Sequence, residues 1–399
     1  MSVTYPLGFR AAGVTAGVKP SGLPDLGLLV GDPGTTAAAL FTTNGVAAAP
    51  IEVGRDRLAR GRIRAVLVNS GQANAATGAR GIDDALATSA EVASLLDAQP
   101  DEVLPSSTGV IGEPLHVEQM RAATPALVGA LSPDGGEQFA HAIMTTDTVD
   151  KQASADAGAV RVGGCAKGVG MIAPNLATML AFVTTDALVA ADDLRAIATE
   201  RLAPRFNALT VDGCTSTNDT VLLLASGAEP GDDVVVPGSS AWDDLVGAID
   251  AVGESLVSQL IADGEGVTHV MIVDVEGAAN DDDARRVAKA VADSPLVKTA
   301  VFGADPNPGR FLQAAGAAGV SVDPGLLDVS IGGVALAVGG VIPPSYFEPA
   351  SPIADEARAA MKEAEIAVRV RLGEGPGRSR AYGCDLSYEY VRINGEYTT

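Results

Sequence analysis

Aromatic, histidine, cysteine and basic residues are all in short supply in this chain, and each shortage closes off a class of function. Aromatics make up 4% of the 399 residues while hydrophobic residues make up 47%, so the core is expected to be built mostly of small aliphatic side chains. Twenty-seven basic residues stand against fifty acidic ones, a net charge of -23. That balance disfavours nucleic acid and anionic membrane surfaces as partners. The three histidines, His116, His141 and His269, form no ligand-spaced pair, which argues against a histidine-based zinc site; no metal is expected. Cys165, Cys214 and Cys384 are too few and too far apart for a disulfide framework or a Cys-x-x-Cys metal site. Of these, Cys165 reads as a small buried thiol, with a reactive thiol as the alternative. No apolar run reaches the length of a membrane span, and the N-terminus lacks the basic-then-apolar order of a secretory signal. A soluble, cytoplasmic protein is expected.

What the chain does have is strand and helix signals in alternation. Residues 8–53 read as a β meander broken by Gly31-Asp-Pro-Gly34 and Thr43-Asn-Gly45. Ile63–Asn69 is a strand running into the small-residue loop Ser70–Gly78 and a helix near 82–97. That loop is either an anion cradle of backbone N–H groups or a plain βα turn. Val103–Gly112 repeats the theme, an apolar stretch ending in hydroxyls and glycines. Helices follow near 117–131 and 136–144, then a strand pair near 152–163. Further on come a helix at 191–202 ended by Pro204, a strand at 221–225 and an amphipathic helix at 241–262. A strand at 267–275 leads to a candidate domain boundary at 277–283. Beyond it lie a helix at 282–292, a strand at 297–302, a helix near 309–317 and strands near 327–338 and 365–371. The fold class expected is α/β (α+β): helices packed on mixed or antiparallel sheets in a layered sandwich, with a smaller second α/β domain at the C-terminal end.

The stretch Cys165–Leu180 gathers a lone lysine, glycines, Pro174 and a threonine that opens the apolar run Thr178–Asp186. A threonine at a strand's mouth is ordinary β chemistry in itself. The motif Lys-Gly-x-Gly-Met-x-Ala-Pro-x-x-Ala-Thr-Met-Leu, residues 167–180, however, resembles the self-cleavage signature of the ornithine acetyltransferase (glutamate N-acetyltransferase) family of arginine biosynthesis. The likeness runs from Gly8–Lys19 through Ser216-Thr-Asn-Asp-Thr220 and Leu296–Asn307 to the tail Asn394–Thr399. It departs at His269, where Lys is usual, at Pro308 in place of Trp, and at Ala76 in place of Cys.

The resemblance implies cleavage between Ala177 and Thr178, leaving residues 1–177 and 178–399 associated, with a heterotetramer of two chains of each kind as the assembly. Thr178 is then the nucleophile, and its new α-amine, titrating at about 7.7–8.0 when unperturbed, is the base. Thr108 and Gly109 correspond to the oxyanion pair; Thr145, Lys167, Thr178, Glu265, Asn394 and Thr399 correspond to substrate contacts. The implied reaction moves acetyl from N-acetylornithine to glutamate without a metal or redox cofactor, and leaves acetyl-CoA open as a co-substrate. Two rivals are a self-processing aminopeptidase or amidase, in which water takes the acyl group, and a ligand-binding relative without catalysis.

Overall fold

The computed structural model describes residues 2–61, 63–173, 179–229 and 234–396. In chain order the elements are β1 (Phe9–Val14), β2 (Leu26–Gly31), β3 (Thr36–Phe41), α1 (Ala49–Arg60), β4 (Ala65–Asn69), α2 (Gly78–Leu95), β5 (Val103–Ser107), α3 (Val117–Gly129) and α4 (Gly136–Ala142). They continue with β6 (Lys151–Ala157), β7 (Val160–Lys167), β8 (Leu180–Thr185), α5 (Ala191–Ile197), α6 (Ala203–Phe206), β9 (Thr220–Ala225) and α7 (Ser240–Ala262). The last set is β10 (Val270–Ala278), α8 (Asp281–Asp293), α9 (Pro295–Phe302), α10 (Pro308–Gly316), β11 (Asp328–Ile331), β12 (Val334–Ala337), α11 (Pro352–Ala360), β13 (Glu365–Arg371), β14 (Gly377–Cys384) and α12 (Tyr388–Glu396). They form two compact units, one drawn from Met1–Asn207 and Thr215–Leu260, the other from Ala208–Cys214 and Ile261–Thr398.

The first unit is a layered sandwich because its strands are apolar on both faces. Every residue of β2 and β4 is buried, so the sheet β1-β2-β4-β5 must be covered twice. Leu28, Val30, Ala65 and Leu67 pack with Val92, Met120 and Leu127 from α2 and α3. On the other face, Leu29, Val66, Val68 and Leu104 meet Cys165, Leu180, Phe182, Leu222 and Leu224 of the second sheet, β3-β9-β8-β7-β6. Phe139 of α4 is wedged into this inter-sheet core, edge-on to Phe182 at 5.3 Å between centroids. The outer face of β7 accepts α7 at Gly164, where an added Cβ would lie 2.8 Å from Val252. By length and composition α7 is apolar enough to cross a membrane, but Leu245, Ile249, Val252, Leu256 and Leu260 are buried at helical spacing.

In the second unit the sheet β12-β11-β13-β10-β14 packs one face on α8, whose Ala284, Val287, Ala288, Val291 and Ala292 are buried at three- and four-residue steps. Asn280 caps that helix by accepting the Asp283 N–H at 2.9 Å. The layered α/β expectation agrees with this architecture.

Several local expectations do not. The meander ends early, since residues 49–53 start α1 with a proline in its first turn, and β3 leaves the first sheet to pair with β9. The helix at 191–202 continues through a π turn at Ala198–Leu202 into α6, so Pro204 sits in a fresh first turn instead of beyond the end. Residues 297–302 are helical, not a strand. The alternation of Val297, Thr299 and Val301 suggested β structure, but Ser294 and Pro295 start a helix there. Residues 277–283 join β10 to α8 inside the second unit, because β10 is a central strand of that unit's sheet. The unit begins earlier, at Ile261.

Removing the ring that the two sheets of the first unit share should leave a cavity neither can close. Phe139→Ala is expected to cost roughly 3–5 kcal/mol in urea unfolding, whereas truncating exposed Leu95 should cost under about 0.5 kcal/mol.

Candidate functional site

Within the first unit, β4 and β5 run parallel from Ala65↔Val103 to Asn69↔Ser107 and release their chains side by side into two glycine-containing loops. The loops pair with each other: Val110 N–H donates to Gly71 O at 3.0 Å, Ala73 N–H to Val110 O at 2.8 Å and Gly112 N–H to Ala75 O at 3.0 Å. Gly109 sits at φ 128°, and a Cβ there would lie 2.2 Å from the Gly71 carbonyl oxygen. Only glycine fits. Thr108 N–H is spent on Asn69 O at 3.0 Å, while the Gly109 N–H between these bonded neighbours has no acceptor among the described residues. Side chains brace the Ser70–Gly78 loop, with Asn69 Nδ2 donating to Gln72 O and Asn74 Nδ2 to Gly81 O. Ala76 adopts φ 57° within it.

Thr108 is buried, and its Oγ1 accepts from Lys167 Nζ at 3.2 Å. Its own hydroxyl proton is thereby left to be donated. Side-chain O–H and neighbouring backbone N–H are the two donors an oxyanion needs. Lys167, the last residue of β7, also donates to Thr145 Oγ1 at 2.7 Å. It lies 3.8 Å from Asp147 Oδ2. Asp147 in turn accepts from Lys151 Nζ at 2.8 Å, Gly168 N–H at 2.8 Å and Thr145 N–H at 3.0 Å. Burial alone would push this carboxyl up, but Lys167, Lys151 and the Thr145 N–H outweigh it and hold it at about 2. Two buried lysines thus flank one buried carboxylate. Lys19, donating to Pro24 O at 2.8 Å and Met144 O at 2.6 Å, is held down to about 8 by burial and by the charge of Lys167, against the pull of Asp25 and Asp147.

Thus four of the residues singled out from sequence, Thr108, Gly109, Thr145 and Lys167, fall in one neighbourhood. Asp147, Lys151 and Lys19 were missed; their signal was three charges close to matched residues in a weakly charged sequence. Thr178, Ala177 and Thr399 lie outside the described residues.

In the second unit, Asn394 Nδ2 on α12 donates to Glu265 Oε2 at 2.8 Å, joining the two remaining substrate candidates. The Glu265 loop is pinned by the chain before α12. Asp385 accepts Thr268 N–H at 2.9 Å and His269 N–H at 3.1 Å, and Ser387 Oγ donates to Gly266 O at 2.6 Å. The tail is ordered as a helix to Glu396. Elsewhere, Cys165 is buried and its thiol is pushed far up by that burial, which removes the reactive alternative.

The ArgJ family model matches residues 10–399. The chain belongs to the ArgJ family. It is 46% identical over 412 residues to an arginine biosynthesis bifunctional protein ArgJ of Thermosynechococcus vestitus, covering 100% of this chain and 98% of that one. The same figure, over 400 residues and 100% of both chains, holds for the Thermus thermophilus protein of that name. Among solved structures, an ArgJ of Bacillus halodurans is 40% identical, with TM-score 0.50, 55% of this chain and 100% of that chain covered. Among the departures from the ArgJ pattern, His269 places Nδ1 2.8 Å from Thr268 Oγ1. Pro308 opens α10, where its missing N–H costs nothing.

Asp147 has a folded pKa below its unfolded value of about 3.9. Its stabilising contribution should therefore be complete above about pH 4 and vanish as pH falls toward 2. Compared with Asp147→Asn, the wild type is expected to be more stable by on the order of 2 kcal/mol at pH 6. The gap in urea midpoints should narrow steadily below pH 4.

Proposed function

We propose that this chain transfers acetyl from N-acetyl-L-ornithine to L-glutamate through an acetyl ester on Thr178, after cleaving itself between Ala177 and Thr178. The observation that carries this reading is a pair of adjacent donors, the Gly109 N–H, which has no acceptor among the described residues, and the Thr108 hydroxyl, whose oxygen accepts from Lys167 Nζ at 3.2 Å. Membership of the ArgJ family, whose relatives carry the name arginine biosynthesis bifunctional protein, supports it.

In the maturation step the Thr178 hydroxyl oxygen adds to the Ala177 carbonyl carbon and the peptide nitrogen leaves, making an ester. That nitrogen takes up the hydroxyl proton and becomes the free amine of Thr178, and water then hydrolyses the ester to a carboxylate on Ala177 and the regenerated Thr178 hydroxyl. In turnover this amine takes the Thr178 hydroxyl proton as the oxygen attacks the N-acetyl carbonyl. Thr108 and Gly109 hold the oxyanion. Collapse expels the ornithine amine, which collects the proton, and glutamate's amine then attacks the acetyl ester by the same path reversed. Lys167 with Thr145 suits the substrate carboxylate, and Glu265 and Asn394 are substrate contacts by family correspondence. Thr399 is a further substrate contact by family correspondence. The two cleavage products stay together, two of each kind in the assembly, and the cytoplasm is the expected compartment. The reaction uses no metal or redox cofactor, and acetyl-CoA stays open as a co-substrate.

On a denaturing gel, wild type should give two bands and Thr178→Ala one. With acetyl-labelled N-acetylornithine, label is expected on glutamate; label found only in free acetate would mark a hydrolase instead. Thr108→Val should lower kcat about 10²–10³-fold with a small change in KM, since the oxyanion forms only in the transition state.

A further inference from the structure

The segment Ser216–Thr220 supplies no group to the reaction just described, yet one of its side chains reaches into both loops around the oxyanion pair. Asn218 is 4% exposed. A primary amide carries two N–H donors on one nitrogen, and here both are spent on backbone carbonyls: Nδ2 donates to Ser107 O at 2.8 Å and to Ala73 O at 2.6 Å. Its Oδ1 accepts the Thr217 hydroxyl at 2.6 Å, which decides which end of the amide faces the loops.

Ser107 O belongs to the peptide group whose nitrogen is that of Thr108, and that nitrogen donates to Asn69 O at 3.0 Å. The peptide plane entering Thr108 is therefore held at both ends, while the next plane presents the Gly109 N–H, which has no acceptor among the described residues. Ala73 is gripped twice as well, because its own N–H donates to Val110 O at 2.8 Å. One nitrogen thus closes a ring that runs from Asn218 to Ser107, along the chain to Val110, across to Ala73 and back. Thr108 and Gly109 lie within that ring. The base of the amide is anchored in turn to the connection between β3 and α1: Thr42 Oγ1 donates to Ser216 O at 2.7 Å, Asn44 Nδ2 to Thr215 O at 2.8 Å and Ala48 N–H to Thr217 O at 2.9 Å.

We propose that Asn218 is a positioning residue for acyl transfer: by holding the Ser107 and Ala73 carbonyls on one nitrogen, it aims the Thr108 hydroxyl and the Gly109 N–H at the oxyanion without touching substrate. This rests on the reading of Thr108 and Gly109 given above. Donors stabilise a developing charge best when the protein has fixed them beforehand, and the tolerance is about 0.5 Å and 10–20°. Gly109, at φ 128°, has no side chain to restrain its own peptide. The direction of its N–H therefore depends on what holds the residues to either side, Val110 N–H on Gly71 O at 3.0 Å after it and Asn218 before it.

The test compares wild type, Asn218→Ala, Thr108→Val and the double variant, with rates taken per cleaved chain and well below each melting temperature. For Asn218→Ala, kcat should fall at least tenfold with KM for N-acetylornithine within about twofold, because the oxyanion forms only in the transition state. In the Thr108→Val background the same substitution should cost less, since one of the two donors it aims is already gone. An unchanged kcat, a loss confined to KM, or effects of the two substitutions that multiply in full would each overturn the assignment. So would a loss that disappears once rates are expressed per cleaved, folded chain. If wild type releases labelled acetyl only as free acetate, the acetyl-transfer reading fails, while the rate of that release in Asn218→Ala still decides this one.

Discussion

One carboxylate with two buried lysines organises the first unit's site. Asp147 is bonded to Lys151 and to two backbone N–H groups, and stands 3.8 Å from Lys167. None of the three side chains is more than slightly exposed, so each depends on the others: removing one partner of a buried ion pair strands the remaining charge in a poor dielectric. The same interaction that makes the cluster stable therefore fixes where the Lys167 ammonium points. It reaches both Thr145 and Thr108, which joins a β7 side chain to a loop that follows β5 in the other sheet.

That link is possible only because the two sheets are pressed face to face. Small and aliphatic residues of β2, β4 and β5 meet those of β7, β8 and β9, and close packing leaves little freedom in sheet separation. Gly109, with no room for a Cβ, and Gly164, where α7 comes close, are places where that closeness is visible in the backbone. A core poor in aromatics is thus consistent with a site whose geometry is set by tight layers.

Much of this was legible in the residues. Apolar runs located most strands, because strands buried on both faces read as continuous hydrophobic stretches. The helices α2, α3, α4, α7, α8 and α10 followed from period and flanking signals. The failures share a cause. Val297–Phe302 carries a strand-like alternation, but a Ser-Pro start and burial at three- and four-residue steps made it helical. The boundary at 277–283 looked like a linker because a glycine, two alanines and an asparagine run into three aspartates, whereas Gly277 is a tight turn packed on Gly373 inside one sheet. Strand β14 and helices α11 and α12 gave weaker local signals and depended on their neighbours.

The sequence by itself determined the family, the layered α/β class and the residue types gathered near the site, since hydrophobic period and motif chemistry are local properties of the chain. Tertiary structure alone decided that Asp147, Lys151 and Lys19 join Lys167, and that the Gly109 N–H has no acceptor among the described residues while its neighbours are bonded. Hydrogen-bond satisfaction depends on every group that folding brings within about 3 Å of an atom, and most of those groups are far away along the chain.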